Sequence, residues 1–480
     1  MEKTKMFFIV TLVLLLGLFI LAPSAWCQKI TVTHDGLKGA KAIFDDPRPL
    51  YKALPMNKLI PPEYYSKMTH DIEAMKRAWA DVVGFRAPDM VGKIAPEIKP
   101  GTYTYQDRDK YPGLKELMLP PLYERFFKPG GPPHVGNFSE FKVIPTRQYF
   151  WTLPLAKATK ENMGRTKLDD KGYIIEDSYI SGYPFPRPSG KFAAQQIIYN
   201  WKKRYTYADG MYGYTIPIGF NKNLKIDSDG TGLMTQIKLK GRVFVEPYGW
   251  YDKRAKDMRE DKGAIYAYLA PRDLYGSAIG LTYYLDADKI DGAMLYVSAI
   301  RRIRKMSATD TQDVVGGQDG ITDDNEGFDQ KISPNHYPYQ YELVGEREYL
   351  FIASDMDGAY YLNSKKGYEW ANMEFERRPV YVVKLTQLDK NYVYSKRILY
   401  FDKETLFLLY AENYDRKGRL YRDSTNIPTF HPDIGLVCMA SGVQRDYVDL
   451  HSTFNRMLVV PSPTMKRDDI DIYSFAKKAK

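Results

Sequence analysis

The sequence predicts a mainly β protein with helices: an antiparallel meander that closes partly or wholly into a barrel, packed on helices and preceded by an extended Pro-rich region. Three observations predict it. Beyond Tyr205, ten segments alternate β-branched or aromatic residues with polar ones, separated by Gly, Asp-Gly or Asp-Lys turns. No helical pattern falls between them, so the connections are short and the strands antiparallel. Tyrosine, which favours strands and carries a polar tip on its ring, supplies 40 of the 480 residues.

The first 27 residues read as a secretory signal peptide: Lys3 and Lys5, an apolar run from Met6 to Ala22, then Pro-Ser-Ala-Trp-Cys-Gln. Cleavage after Cys27 leaves 453 residues, enough for one large or two ordinary domains. An uncleaved anchor and a lipid-modified Cys27 are the alternatives, and the bulk of Trp26 directly before Cys27 speaks against the second. The signal holds two Lys and one Glu, so the net charge falls from +10 to +9. That surplus suits anionic headgroups or an acidic partner and makes no specific case for nucleic acid. Cys438 alone survives cleavage, which excludes a disulfide framework and a thiolate metal site. No second apolar stretch reaches spanning length.

Residues 28–188 form the Pro-rich wrap, with Pro-Pro at 61–62, 120–121 and 132–133. Within it, residues 63–85 place Ile72, Met75, Trp79, Val82 and Val83 at helical spacing. Residues 189–480 form the meander with a covering helix over Phe192 to Tyr205. The strands are expected at 211–220, 232–246, 263–270, 278–286, 292–301, 341–353, 379–388, 393–401, 406–414 and 443–451. The hairpin over 393–414, turning at Asp402-Lys403-Glu404-Thr405, is the most informative. Tight pairing sets Phe401 opposite Leu406 and Leu399 opposite Leu408, with Tyr400 and Ile398 meeting Phe407 and Leu409 on the other face. Both faces are then apolar, so each must be covered, either by dry layers on both sides or by helices on one and a ligand on the other. In the second case Leu399, Phe401, Leu408 and Tyr410, or else the opposite face, line the cavity.

No catalytic motif is present. The six His lie apart, with no H-E-x-x-H, no G-x-S-x-G elbow and no phosphate-binding Gly-rich loop. The acidic stretch 310–329 offers oxygen ligands of the kind calcium takes, but its spacing is not that of an EF-hand, and Gly-Asp-rich insertions are commonly mobile surface loops. No metal or other cofactor is assigned. Arg301 and Arg302, at the end of a strand, project toward solvent at a rim, where guanidinium groups hold phosphate or carboxylate heads or simply pair with the acidic stretch.

Three blocks carry a resemblance: Gly182-Tyr-Pro-Phe-Pro-Arg-Pro-Ser-Gly190 with the helix through Tyr199-Asn-Trp201; Arg301-Arg302 with its Asp-rich loop, continuing into Tyr341-Glu-Leu-Val-Gly-Glu-Arg-Glu-Tyr349; and Glu376-Arg-Arg-Pro-Val-Tyr-Val-Val383, running through Lys396-Arg-Ile-Leu-Tyr-Phe-Asp402 to Arg422. Together they resemble domain of unknown function 1329, a bacterial exported family described as outer-membrane lipoprotein-sorting-like. The helix block departs from that pattern in lacking its acidic and His residues, and the family offers no catalytic residues to carry over. The resemblance implies an incomplete antiparallel β-barrel like the Lol-type carriers, with an apolar concave face. It also implies a periplasmic, outer-membrane-associated carrier of a hydrophobic or acylated ligand, working beside an envelope transporter of the resistance-nodulation-division class. The expected function is therefore non-enzymatic cargo binding. A glycan-binding envelope protein using exposed tyrosines, and an enzyme acting on envelope polymers, are the alternatives.

Overall fold

The computed structural model describes residues 56–127, 136–306, 312, 320–355, 361–462 and 464–479. The expected signal peptide, Cys27 and the Pro-Pro pair at 132–133 lie outside the described residues. Among the described residues no helix is long and apolar enough to cross a membrane.

Thirteen strands build the sheet: β1 (Gly210–Phe220), β2 (Thr231–Lys238), β3 (Glu260–Ala270), β4 (Ala278–Tyr284), β5 (Gly292–Val297), β6 (Arg302–Met306), β7 (Tyr339–Phe351), β8 (Glu374–Gln387), β9 (Lys396–Asp402), β10 (Leu408–Tyr414), β11 (Leu420–His431), β12 (Leu436–Asp446) and β13 (Ser452–Pro461). They form two antiparallel meanders, β1 to β6 and β7 to β13, fused because the last strand pairs with the first along Ser452↔Phe220 to Pro461↔Met211. Short strands Gly101–Thr104, Glu140–Val143 and Ile226–Asp229 extend it. β6 ends the strand order at one side, and β7 pairs with β8 near the other, so the sheet is open and not a closed barrel. The expected mainly β fold with helices forms, and where partial or whole closure into a barrel is expected the sheet stays open.

Three strands escaped the alternation pattern. β11 carries Pro428 and the polar run Arg422 to Asn426, and its ladder slips at Ile427/Pro428 to accommodate the missing N–H. β13 contains Asn455-Arg456, and β6 is the basic run itself. The expected strand over 232–246 stops at Lys238; a separate two-strand ladder, Lys240–Arg242 with Gly249–Trp250, follows it, with Gly241 at φ 78°. The wrap is also more helical than expected. Pro62 and Pro120 open the helices Pro62–Met68 and Pro120–Arg125, where a missing N–H is harmless, so these Pro-Pro pairs start helices rather than extend the chain. The helix expected over 63–85 breaks at Thr69–Asp71; α1 (Ile72–Val83) restarts with the Asp71 carboxylate capping the Ala74 N–H. Met75, Trp79, Val82 and Val83 are buried as the spacing predicts, while Ile72 is 40% exposed.

The 393–414 hairpin pairs differently from the tight register. Asp402 Oδ1 accepts from the Glu404 and Thr405 N–H groups, and Leu406 sits at φ 60°, which lengthens the turn. Phe401 therefore faces Leu408, a bulge follows, and Tyr400 meets Tyr410 while Leu399 meets Ala411. The bulge sends Tyr410 to the opposite face from Phe401, Leu399 and Leu408. Both faces are covered by protein. On one, α2 (Ala193–Lys202) sets the Trp201 ring 6.5 Å from Phe401 and 5.4 Å from Phe407. On the other, Phe351 lies 6.4 Å from Tyr410.

The same turn is the anchor of the N-terminal wrap. Arg378 of β8 is fully buried and donates to Asp402 at 2.6 Å and Glu404 at 2.9 Å, with Glu376 3.6 Å away. Glu404 accepts in turn from the Ala87 and Tyr149 N–H groups, both at 2.8 Å, and its carbonyl accepts from Trp79 Nε1. Removing one member of a buried, hydrogen-bonded ion pair costs about 3–5 kcal/mol, whereas exposed pairs contribute about 0–1. Arg378→Met is thus expected to lower the unfolding free energy in urea by about 3–5 kcal/mol, while Lys142→Met, which breaks the exposed 3.4 Å pair with Glu374, changes it by less than about 1. Glu404→Ala is expected to raise amide hydrogen exchange selectively in 72–90 and 147–152, leaving β11 to β13 protected; a uniform rise across the sheet would contradict the anchoring role.

Candidate functional site

The structure separates the candidate residues into three groups. Leu399, Phe401 and Leu408 are buried on the face that meets α2. Tyr410 is buried on the other face, its hydroxyl donating to Asp423. Arg301 and Arg302 belong to the other meander and are exposed. Arg301 takes a left-handed turn conformation at φ 54°, and Arg302 opens the edge strand β6 opposite Val297. The arginines are not brought to the apolar four.

Of the stretch 310–329 expected as an acidic surface loop, 310–311 and 313–319 lie outside the described residues; over 321–329 Asp323 and Asp324 are buried and Glu326 and Asp329 half-buried. Asp323 accepts from Tyr392 and Gln330, and Asp324 from Tyr394 and Arg397. Glu326 takes Arg204 and Tyr207, and Asp329 takes Lys202 at 3.1 Å. These carboxylates are engaged by cations and phenols, and among the described residues no cluster of three or more His, Cys, Asp or Glu is arranged to hold a metal.

The helix-side face of the first meander has a different character. Residues paired across strands share a face, so the register defines its rows. Met234, Tyr266, Ile279 and Leu295 make one row; Gln236, Ala264, Leu281 and Ala293 the next; Lys238, Lys262 and Tyr283 a third. Met234, Tyr266, Ile279, Leu281 and Leu295 are half-buried. The opposite face of the same strands is closed by α3 (Ile472–Lys478), whose Ile472 and Ala476 pack with Ile265, Ala267, Ala278 and Tyr296. An apolar surface thus runs along the strands into a basic end, two rows or roughly 13 Å away.

That end is a small recess of about 10 Å³, room for one water, open at its mouth and lined by Lys202, Arg204, Tyr207, Gln236, Lys238, Asp261 and Lys262. The end of α2 delivers Lys202, and Lys203 and Arg204 follow it directly. Lys203 pairs with Asp261 at 2.8 Å. Lys238 lies 4.2 Å over the Tyr205 ring and Lys262 4.0 Å over Tyr283. Burial disfavours their charge and brings Lys238 down to about 7 and Lys262 to about 8. Burial also pushes the Asp329 carboxyl up, but Lys202, Lys262 and Arg204 outweigh it and hold that group far below the usual carboxylate range.

The sequence marks little of this site. In the sequence Lys202 and Lys203 fall within the expected covering helix and Asp329 at the end of the acidic stretch. The one available signal is Lys238 between Ile237 and Leu239, and only the register shows that Lys262, just before the expected strand 263–270, is its neighbour.

A family model for a protein of unknown function, DUF1329, matches residues 133–473. A DUF1329 family protein from Desulfovibrio piger is similar at 15% identity, over 56% of this chain and 92% of that one, with a TM-score of 0.40. A domain described as outer-membrane lipoprotein-sorting from Vibrio parahaemolyticus is similar at 15% identity, over 55% and 91%, with a TM-score of 0.37. A LolA-superfamily protein from Nitrosomonas europaea follows at 13%, over 58% and 98%, with a TM-score of 0.34. With its family model matched from within the wrap to the start of α3, the chain belongs to the DUF1329 family.

Proposed function

We propose that the protein is an exported, non-enzymatic carrier in the cell envelope, which shields the acyl chain of a lipid, lipoprotein or other hydrophobic cargo and passes it to or from an envelope transporter or the outer membrane. One observation carries this reading: the half-buried apolar rows on the helix-side face of β2 to β5, open along an unclosed sheet. Burying an acyl chain yields about 0.8 kcal/mol per CH₂, so a surface that covers ten methylenes supplies about 8 kcal/mol with no catalytic group. In this reading Leu399, Phe401 and Leu408 extend the same face beneath α2 and are reached by cargo only where that helix lifts, while Arg302, at the edge of the face, meets groups that project from it.

The tyrosines that suggest a glycan surface have another use. Tyr149, Tyr283, Tyr392, Tyr394, Tyr410 and Tyr447 all donate to buried or half-buried carboxylates. The carboxylates that an enzyme would need are matched by the same phenols and by Arg and Lys, which favours binding over hydrolysis.

Native mass spectrometry of the mature protein taken from its own envelope is expected to show a bound acyl-containing molecule. Leu281→Asp places a charge in the middle row and is expected to reduce that occupancy at least tenfold without moving the unfolding midpoint by more than a degree or two. Repeated preparations free of any lipid would overturn the reading.

A further inference from the structure

The recess beside the apolar rows has a charge surplus. Five cations meet there, Lys202, Lys203, Arg204, Lys238 and Lys262, against three carboxylates, Asp261, Glu326 and Asp329. The surplus sits on particular atoms. Lys238 is 9% exposed, and its ammonium makes one hydrogen bond, to the Lys203 carbonyl at 3.2 Å; among the described residues no carboxylate lies within 4.0 Å of it. Two of its three donors therefore have no protein acceptor. Among the described residues the one carboxylate within 4.0 Å of the Lys262 ammonium is Asp329, at 3.9 Å, too far for a hydrogen bond. The buried Arg204 Nε has no partner either. A buried cation with unused donors is costly unless an anion completes it.

Resting on the carrier reading, we propose that the mouth of this recess receives the anionic head of the cargo, a phosphate or carboxylate, with one oxygen directed into it, so that the protein selects acidic amphiphiles over neutral ones. The head would take the free donors of Lys238, Lys262 and Arg204, while the chain lies along Leu281 and Ile279 toward Leu295 and Met234. An ammonium desolvated beside an anion forms a stronger, shorter bond than it does in water, so the contact adds selectivity where the apolar rows add affinity.

The same geometry gives a pH dependence. The groups facing Lys238 and Lys262 are Lys202, Lys203 and Arg204 from the end of α2 and beyond, Tyr205, Tyr207 and Asp209 after it, Asp261 on β3, Tyr283 on β4, and Glu326 and Asp329 from the 321–329 segment. Burial pushes Tyr283 well above its ordinary value, raises Glu326 and lowers Lys202, while Lys202, Lys262 and Arg204 hold Asp329 ionised; Lys238, brought to about 7, and Lys262, brought to about 8, lose their protons between pH 6.5 and 9. Raising the pH removes their protons and with them the advantage of an anionic head.

The test uses the delipidated mature protein and three probes titrated calorimetrically: decyl phosphate below its micellar concentration, decanol below its solubility limit, and inorganic phosphate. Decyl phosphate is expected to bind at least tenfold tighter than decanol at pH 6.5, with the ratio falling severalfold by pH 9. Lys238→Met is expected to reduce the ratio toward one while leaving decanol affinity within twofold; Lys262→Met serves the same purpose if the first variant does not fold. Equal binding of decanol and decyl phosphate would defeat the headgroup assignment and leave the carrier reading standing. Binding of neither amphiphile would remove the carrier reading and this inference with it. Inorganic phosphate binding as tightly as decyl phosphate would show a free-anion site and overturn the assignment to an amphiphile.

Discussion

A guanidinium with no access to water must find its oxygens within the fold, and Arg378 finds them in a way that organises most of the molecule. Its partners Asp402 and Glu404 are also the residues that shape the β9–β10 turn. Because Asp402 caps the turn, the connection is longer than the sequence spacing suggests, and the bulge that follows sets which side of the sheet Tyr410 occupies. Because Glu404 accepts from Ala87 and Tyr149, two distant pieces of the wrap are held at the same point. Strand register, turn geometry and docking of the N-terminal region are consequences of one matched charge.

The pattern recurs along the second meander. Arg397 of β9 is buried against Asp324, and Arg445 of β12 against Asp423, which also receives Tyr410 and Tyr447. Buried pairs of this kind add little net stability over an apolar core, yet they penalise a slipped strand heavily, since a misplaced partner leaves a bare charge inside. A sixteen-stranded open sheet has many near-equivalent registers, and the arginine networks distinguish among them. The tyrosine content follows: a phenol brings apolar bulk and one donor, which suits a carboxylate that must be completed without a second cation.

The sequence discloses these elements unevenly. Period-two alternation located most strands, and the helical stripe of Met75, Trp79, Val82 and Val83 located α1, because both depend on residues near one another in the chain. The blocks Glu376-Arg-Arg and Lys396-Arg carried the family resemblance, but their role was hidden, since Arg397 meets Asp324 across 73 positions and Glu404 meets Ala87 across 317. Polar strands such as β11 look like loops because their Asp and Arg residues are charged, when those charges are in fact the interior. The recess was illegible for the same reason: Lys238 and Lys262 are neighbours only through the β2–β3 register.

The contrast between the arginine networks and the recess is the strongest internal evidence on function. Arg378 meets three carboxylates and the Arg147 carbonyl, so its charge is complete within the chain. Lys238, comparably enclosed, meets one carbonyl and a ring. Among the described residues, both halves of the sheet hold a buried guanidinium nitrogen without a partner, Arg397 Nε on one and Arg204 Nε on the other; the recess differs in holding two lysines, Lys238 and Lys262, whose ammonium groups have no carboxylate within hydrogen-bond distance, at the point where half-buried apolar rows end. Structural need alone would favour a Met or Leu at Lys238, since the flanking strand positions are apolar and a desolvated ammonium with spare donors weakens the folded state. Retaining the charge there makes physical sense when the missing acceptor arrives from outside, carried on a molecule whose other end requires the apolar surface.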